Sequence, residues 1–326
     1  MRFPCVVFVI GLLASSAAAA GPSIEPYEFQ PGGDRAAVAA ERGELRVPAK
    51  HDDPDGPQIT LSFVRFPATG KNPGHPIVYL AGGPGGSGIA TARGGRFTLF
   101  MALREVADVI AFDQRGTGQS SPAPRCRYTD PFPLSKPATR AEASGYVHDV
   151  ARYCLEWWTA QGVDITTFNT RESAHDLEAL RRALGAEKLN LWGISYGTHL
   201  ALEAFRVMGR DRIHRAVLAS PEGLSQTVKL PAHSDAYFER VAELARDEYP
   251  DLLERLRGQM KKLETPVPVE FTTATGETVT VHLGPFAYRL LIAFAMVKNP
   301  SNVARLPEMV YGVEQAGFGA IAPYLG

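Results

Sequence analysis

What most restricts the fold of this chain is a strand, a glycine-flanked serine and a helix that follow one another without a spacer. Leu189-Asn190-Leu191-Trp192 is an apolar, strand-like run, Gly193-Ile194-Ser195-Tyr196-Gly197 fits G-x-S-x-G, and residues 198–205 carry a helical pattern. Such a turn holds the serine on strained backbone, while the glycines let strand and helix pack closely beneath it and leave the hydroxyl clear of the sheet. It also places Ser195 at a helix N-terminus, where the Tyr196 N–H and the helix dipole favour a developing oxyanion. With 31 glycines in 326 residues the five letters alone could arise by chance, so it is the strand and helix around them that give the motif its meaning.

The same rhythm extends on both sides. Short apolar runs at 76–80, 108–112, 189–194 and 213–219 alternate with helical stretches at 97–106, 146–160, 171–184 and 196–208. This predicts an α/β fold with a mostly parallel sheet covered by helices on both faces, whose chemistry gathers at the carboxyl ends of the strands. Ahead of it, residues 44–47 and 58–66 read as two strands joined by a loop through Asp52-Asp53-Pro54-Asp55-Gly56. Residues 21–42 are rich in Pro, Gly and Ala and read as an N-terminal extension. After Pro221 the rhythm stops; helical stretches over 232–263, a hairpin over 267–283 turning on Gly276 and further helices predict an inserted, mainly helical cap. The expected division is signal peptide 1–20, extension 21–42, core 43–221 and cap 222–326.

Arg2, the apolar run 3–13 and Ala18-Ala19-Ala20 have the form of a cleaved export signal. That run and the later one at 286–297 fall short of the roughly 20 residues a bilayer requires, so the expectation is a periplasmic or extracellular protein without a membrane span. Cys5 would leave with the signal; Cys126 and Cys154 remain as an even pair in an oxidising compartment and are expected to be disulfide-bonded. A composition 45% hydrophobic and 21% charged is that of a globular protein, and a net charge of −1 supplies no footprint for nucleic acid.

A second motif, Ala81-Gly82-Gly83-Pro84-Gly85-Gly86-Ser87-Gly88, follows the strand Ile77-Val78-Tyr79-Leu80. In this setting it supplies a second oxyanion donor, assigned to the Gly83 N–H because Pro84 has none. Gly83, Gly85 and Gly88 also fit a dinucleotide fingerprint, with Asp113 as a ribose-binding acid. Against that oxidoreductase reading stand Arg93-Gly94-Gly95 where a helix should run, the export signal and an unexplained Ser195 turn. A phosphate loop fails for want of its Lys. In the third motif, Phe112-Asp113-Gln114-Arg115-Gly116-Thr117-Gly118-Gln119-Ser120, Asp113 and Arg115 have a catalytic reading, against which the favoured one is rim architecture, a turn fixed by an Asp113–Arg115 ion pair with glycines for tight backbone.

With these motifs in order, the chain resembles the prolyl aminopeptidase and tripeptidyl aminopeptidase family of α/β-hydrolases over residues 43–230. Leu45-Arg46-Val47-Pro48, Pro221-Glu222-Gly223 and Lys229-Leu230-Pro231 add to the likeness. Ala81 stands where prolyl aminopeptidases usually have His, which leans towards the tripeptidyl type. The resemblance implies acyl transfer to Ser195 and then to water, with oxyanions held by the Gly83 and Tyr196 N–H groups. It implies a peptide substrate with a free N-terminus and no metal or organic cofactor. Glu222, after the strand 213–219 on the same rim, is the candidate to hold the substrate's ammonium; the competing reading is an exposed glutamate at a hinge.

A serine nucleophile needs a histidine oriented by a carboxylate, and in this fold both follow the serine on late strands. His199 lies on the elbow helix, His214 starts its strand at the wrong edge, His233 opens a cap helix and His282 sits in the cap hairpin. The expectation is therefore a C-terminally truncated chain that lacks the acid and base of its triad, has no late strands and ends its sheet on an uncovered edge. A carboxylic-ester hydrolase of the same fold and an inactive hydrolase-fold binding protein are the alternatives.

Overall fold

A computed structural model describes residues 21–122, 126–130, 132, 136–225, 230–273, 275–293 and 300–324; the expected signal peptide lies outside them. The chain divides into two compact units, Met1–Pro124 with Thr166–Ser225, and Arg125–Ile165 with Gln226–Gly326.

The first unit contains β1 (Ser23–Phe29), β2 (Val38–Pro48), β3 (Gln58–Phe66), β4 (Ile77–Leu80), α1 (Gly88–Arg93), α2 (Phe97–Leu103) and β5 (Val109–Phe112). The second unit's α3 (Arg140–Ala160) comes next in sequence, before α4 (Thr170–Ala183), β6 (Leu189–Ile194), α5 (Tyr196–Met208) and β7 (Ile213–Ala219) of the first. Its seven strands form one sheet in the order β1-β2-β3-β5-β4-β6-β7. β4 to β7 run parallel, and β1 to β3 join them as an antiparallel meander through β3 and β5.

Alternation along the strands assigns the two faces. Leu61, Phe63, Val78, Leu80, Ile110, Phe112 and Leu191 pack with Leu177 and Leu180 of α4 and Leu200 and Ala204 of α5. Val64, Phe66, Tyr79, Val109, Ala111 and Trp192 face the other way, with Ile89 of α1 and Phe97 and Phe100 of α2. Burial on both faces makes β4 and β5 uninterrupted apolar runs, as a helix-covered parallel strand demands. Among the described residues β7 pairs with β6 alone, and Val217 on it is 64% exposed.

Two boundaries differ from the sequence-based expectation. Residues 21–42 do more than lead in, because β1 pairs with β2 from Ser23↔Glu44 to Phe29↔Val38. Its mostly exposed residues and Pro26 give no period-2 signal. The block 43–221 is also not one unit, since Arg125–Ile165 groups with the later residues.

In the second unit Cys126 and Cys154 are disulfide-bonded, Cys154 on α3, whose N-terminus carries a capping box between Thr139 and Glu142. Beyond the first unit's last residues come α6 (Pro231–Leu244), α7 (Leu252–Lys262), β8 (Val267–Thr272), β9 (Thr278–Leu283), α8 (Pro285–Leu291) and α9 (Pro300–Ala316). β8 and β9 form the expected hairpin, with Gly276 at φ +84° in its turn. Leu256, Val269, Tyr288 and Val310 anchor a core of the unit's own. Among the described residues no helix is long and apolar enough to cross a membrane.

Candidate active site

β6 ends at Ile194, and the next residue, Ser195, stands at φ 53° and ψ −123°, a strained conformation for a residue with a side chain. The two motif glycines permit it. A Cβ on Gly193 would lie 2.6 Å from the Gly197 carbonyl oxygen, and one on Gly197 would lie 2.0 Å from that of Leu80. The turn is held by the Ser195 N–H donating to Ala219 O at 2.9 Å and the Thr198 N–H donating to Ser195 O at 2.8 Å.

The glycine-rich loop comes up against this turn: a Cβ on Gly82 would lie 2.8 Å from Ile194 O and 3.1 Å from the Ser195 Cβ. Gly83, at φ 126°, precedes a cis bond to Pro84, and the Gly86 N–H closes the loop onto Gly82 O at 3.0 Å. Gln114 Nε2 donates to Ala81 O at 3.1 Å and fixes the loop's start. Among the described residues neither the Gly83 nor the Tyr196 N–H donates to a backbone group outside its own helix or strand.

Glu222 is where the structure adds most. The Ser195 hydroxyl donates to Glu222 Oε1 at 3.1 Å, so the carboxylate is at that hydroxyl itself and not merely on the same rim. The Glu222 N–H donates to Thr198 Oγ1 at 2.7 Å, and that hydroxyl donates to Ser195 O at 2.7 Å. Thr198 is fully buried, so this bridge ties the turn after β7 to the elbow. Ser220, at φ 52°, is the strained residue that turns the chain there. The sequence placed Thr198 only on a helix; nothing in its spacing signalled the bridge.

The Asp113–Arg115 ion pair expected from sequence does not form. Arg115 instead makes a two-pronged pair with Asp176 of α4, through Nε and Nη2 at 2.7 Å each, and donates to Ala49 O and Thr167 O. Asp113 accepts from the Ser87 hydroxyl at 2.6 Å and from the Ile89 and Gln119 N–H groups. A helix does open at Gly88, contrary to the argument used against a dinucleotide site, but it is the six-residue α1 capped by Ser87. Asp113, fully buried with both oxygens engaged, presents nothing to a ribose.

Among the described residues no imidazole hydrogen-bonds the Ser195 hydroxyl. His199 Nδ1 is 3.0 Å from Gly223 O, and His214 contacts Asn190 Oδ1 and the His75 ring at the amino edge of the sheet. Desolvation, then the charges of Arg215 and His75, push the His214 pKa down. His233 lies in the first turn of α6 and His282 on β9. Among the described residues no three His, Cys, Asp or Glu side chains group as a metal site.

A family model described as the alpha/beta hydrolase fold matches residues 75–261. The serine protease Hip1 of Mycobacterium tuberculosis is 37% identical over 164 residues, covering 48% of this chain and 31% of that protein. The tripeptidyl aminopeptidase of Streptomyces lividans is 32% identical over 193 residues, covering 55% of this chain and 34% of that one. Carboxylesterase B of Mycobacterium tuberculosis is 31% identical over 150 residues, covering 43% and 28%. The chain thus spans about a third of the length of the curated relatives it matches.

Proposed function

Because the chain belongs to the α/β hydrolase fold family, we propose that it is an exported serine hydrolase that releases N-terminal residues or short peptides through an acyl-enzyme on Ser195. The observation that carries this reading is Ser195 at φ 53° on its elbow, followed by the Tyr196 N–H and approached by the Gly82-Gly83 loop. Ser195 Oγ bonds to the substrate's carbonyl carbon, the C–N bond breaks, and the hydroxyl proton ends on the leaving amine; water then repeats the sequence on the ester. Each oxyanion is held by the Gly83 and Tyr196 N–H groups, one such donor being worth roughly 3 kcal/mol. The Glu222 carboxylate receives the substrate's ammonium, a peptide with a free N-terminus being the partner, and no cofactor takes part.

Export rests on Arg2, the apolar run 3–13 and Ala18-Ala19-Ala20. Among the described residues no histidine with a carboxylate behind it stands at Ser195, and we expect slow turnover. Supporting this, Ser195 has Glu222 and no histidine at its hydroxyl among the described residues. An ester-hydrolase reading is favoured by the likeness to carboxylesterase B. Rates on an aminoacyl arylamide and a simple acyl ester of similar size separate the two. We expect slow arylamide cleavage that Ser195→Ala abolishes; cleavage of the ester alone would establish the esterase, and arylamide cleavage surviving Ser195→Ala would refute the nucleophile.

A further inference from the structure

We propose that the second unit carries a binding site for an alkylated ammonium group, walled by aromatic rings and faced by two carboxylates. The site is a cavity of about 280 Å³ between α3 and the residues ahead of it, where Tyr128, Asp130, Phe132, Gly145, Tyr146 and Asp149 are among the lining. These six belong to the second unit, whereas Ser195 belongs to the first. Two sequence patterns build it. Tyr128, Asp130 and Phe132 alternate in one segment, and Gly145, Tyr146 and Asp149 lie within about one turn of α3. The Cys126–Cys154 bond ties that segment to the helix, and the Tyr146 hydroxyl donates to Asp130 O at 3.1 Å. The half-buried rings then meet nearly at right angles: Tyr128 and Tyr146 at 78° with centroids 5.7 Å apart, Phe132 and Tyr146 at 84° and 5.2 Å. Rings so disposed form adjoining walls, and the electron-rich face of each attracts a cation within about 6 Å.

Charge narrows the ligand further. Lys136 and Glu142, on the same lining, neutralise each other at 2.7 Å. The Asp130 and Asp149 carboxylates have neither a hydrogen-bond nor an ion-pair partner among the described residues. Both act on Tyr128, whose pKa is pushed up by desolvation and then by their charges, so the phenol stays neutral. An anion is repelled here, and a neutral apolar ligand would cover two carboxylates without compensating them. An organic cation, with charge for the carboxylates and alkyl groups for the rings, meets both demands. Gly145 gives a separate indication. A glycine inside the 21-residue α3 weakens the helix relative to alanine, yet an added Cβ would meet nothing within 4 Å. Packing does not require this glycine; its effect is to keep a side chain out of the cavity.

The test is calorimetric titration of the chain with choline, with a peptide carrying trimethyl-lysine, and with dimethylbutanol, the uncharged carbon isostere of choline. We expect a quaternary ammonium to bind at least about 10-fold tighter than the isostere, and more weakly as salt is added. Choline bound in preference to the peptide supports a free small molecule as the source, and the reverse supports a modified side chain; the site stands in both cases. Tyr128→Leu and Asp149→Asn should each weaken binding by about 2- to 30-fold. Gly145→Leu should abolish it while the melting temperature holds or rises, because leucine favours the helix and fills the cavity. Asp149→Asn changes an exposed residue and decides the case should Gly145→Leu melt early. Equal binding of choline and its isostere overturns the proposal, as does an affinity unchanged in Asp149→Asn or in a folded Gly145→Leu. Binding of neither ammonium at about 10 mM overturns it as well.

Discussion

At Gly82 one methyl group separates two roles, scaffold and catalyst. Its Cβ would meet the Ile194 carbonyl oxygen at 2.8 Å and the Ser195 Cβ at 3.1 Å, and neither neighbour is the free end of a flexible side chain. The loop must therefore move away from Ser195, taking the Gly83 N–H with it. We expect Gly82→Ala to slow acylation of Ser195 by about 10²- to 10³-fold, the loss of one oxyanion donor, while the melting temperature changes little. Gly197→Ala should do the reverse of sparing the fold: the Cβ lies 2.0 Å from Leu80 O, between α5 and β4, and overpacking of this kind costs about 1–3 kcal/mol. Comparing the acylation rate with the melting temperature for both variants checks the assignment. A Gly82→Ala protein acylated at the unaltered rate would show that the loop is not a donor.

Among the elements, α4 has the most at stake in one contact. Asp176 is fully buried and accepts both prongs of Arg115, with His51 Nε2 at 2.8 Å on the same carboxylate. Asp176→Ala takes the two-pronged partner from a buried guanidinium, leaving only Glu172 at 3.9 Å, and should destabilise the chain by about 3 kcal/mol, read from urea unfolding. Beside it, desolvation and then the His51 charge push the His175 pKa below its ordinary 6.5. The folded state disfavours the charged ring, so this contribution is present above pH 6.5 and is lost as pH falls through the lowered value. His175→Gln should flatten the urea midpoint between pH 7 and 5. These contacts also mark what the sequence could convey. Strands buried on both faces, such as β4 and β5, were legible as apolar runs, and the Ser195 turn was legible because its glycines are local requirements. The partner of Arg115 was not legible, since Asp176 lies 61 residues away and a nearer acid, Asp113, offered a plausible local pairing. The rim position of Glu222 was legible; its contact with Ser195 depends on the Ser220 turn and the Thr198 bridge, neither of which leaves a spacing signal.

For the whole molecule, the two compact units differ in what secures them. The first is a helix-covered sheet with cores on both faces. In the second, the Cys126–Cys154 bond closes a loop with a sequence separation of 28, around an α3 that has no buried residue. A loop of that size constrains the unfolded chain by about 3 kcal/mol, so replacing both cysteines with serine should lower the second unit's stability by that order, as hydrogen exchange along α3 would report. The central claim, a serine made accessible on its elbow in a chain that belongs to the α/β hydrolase fold family, is tested most directly by a fluorophosphonate probe followed by peptide mass spectrometry. The account predicts a single adduct, on Ser195, that forms on the folded chain and is lost in Ser195→Ala and in urea. An adduct on another residue, or labelling no faster on the folded chain than in urea, would contradict it.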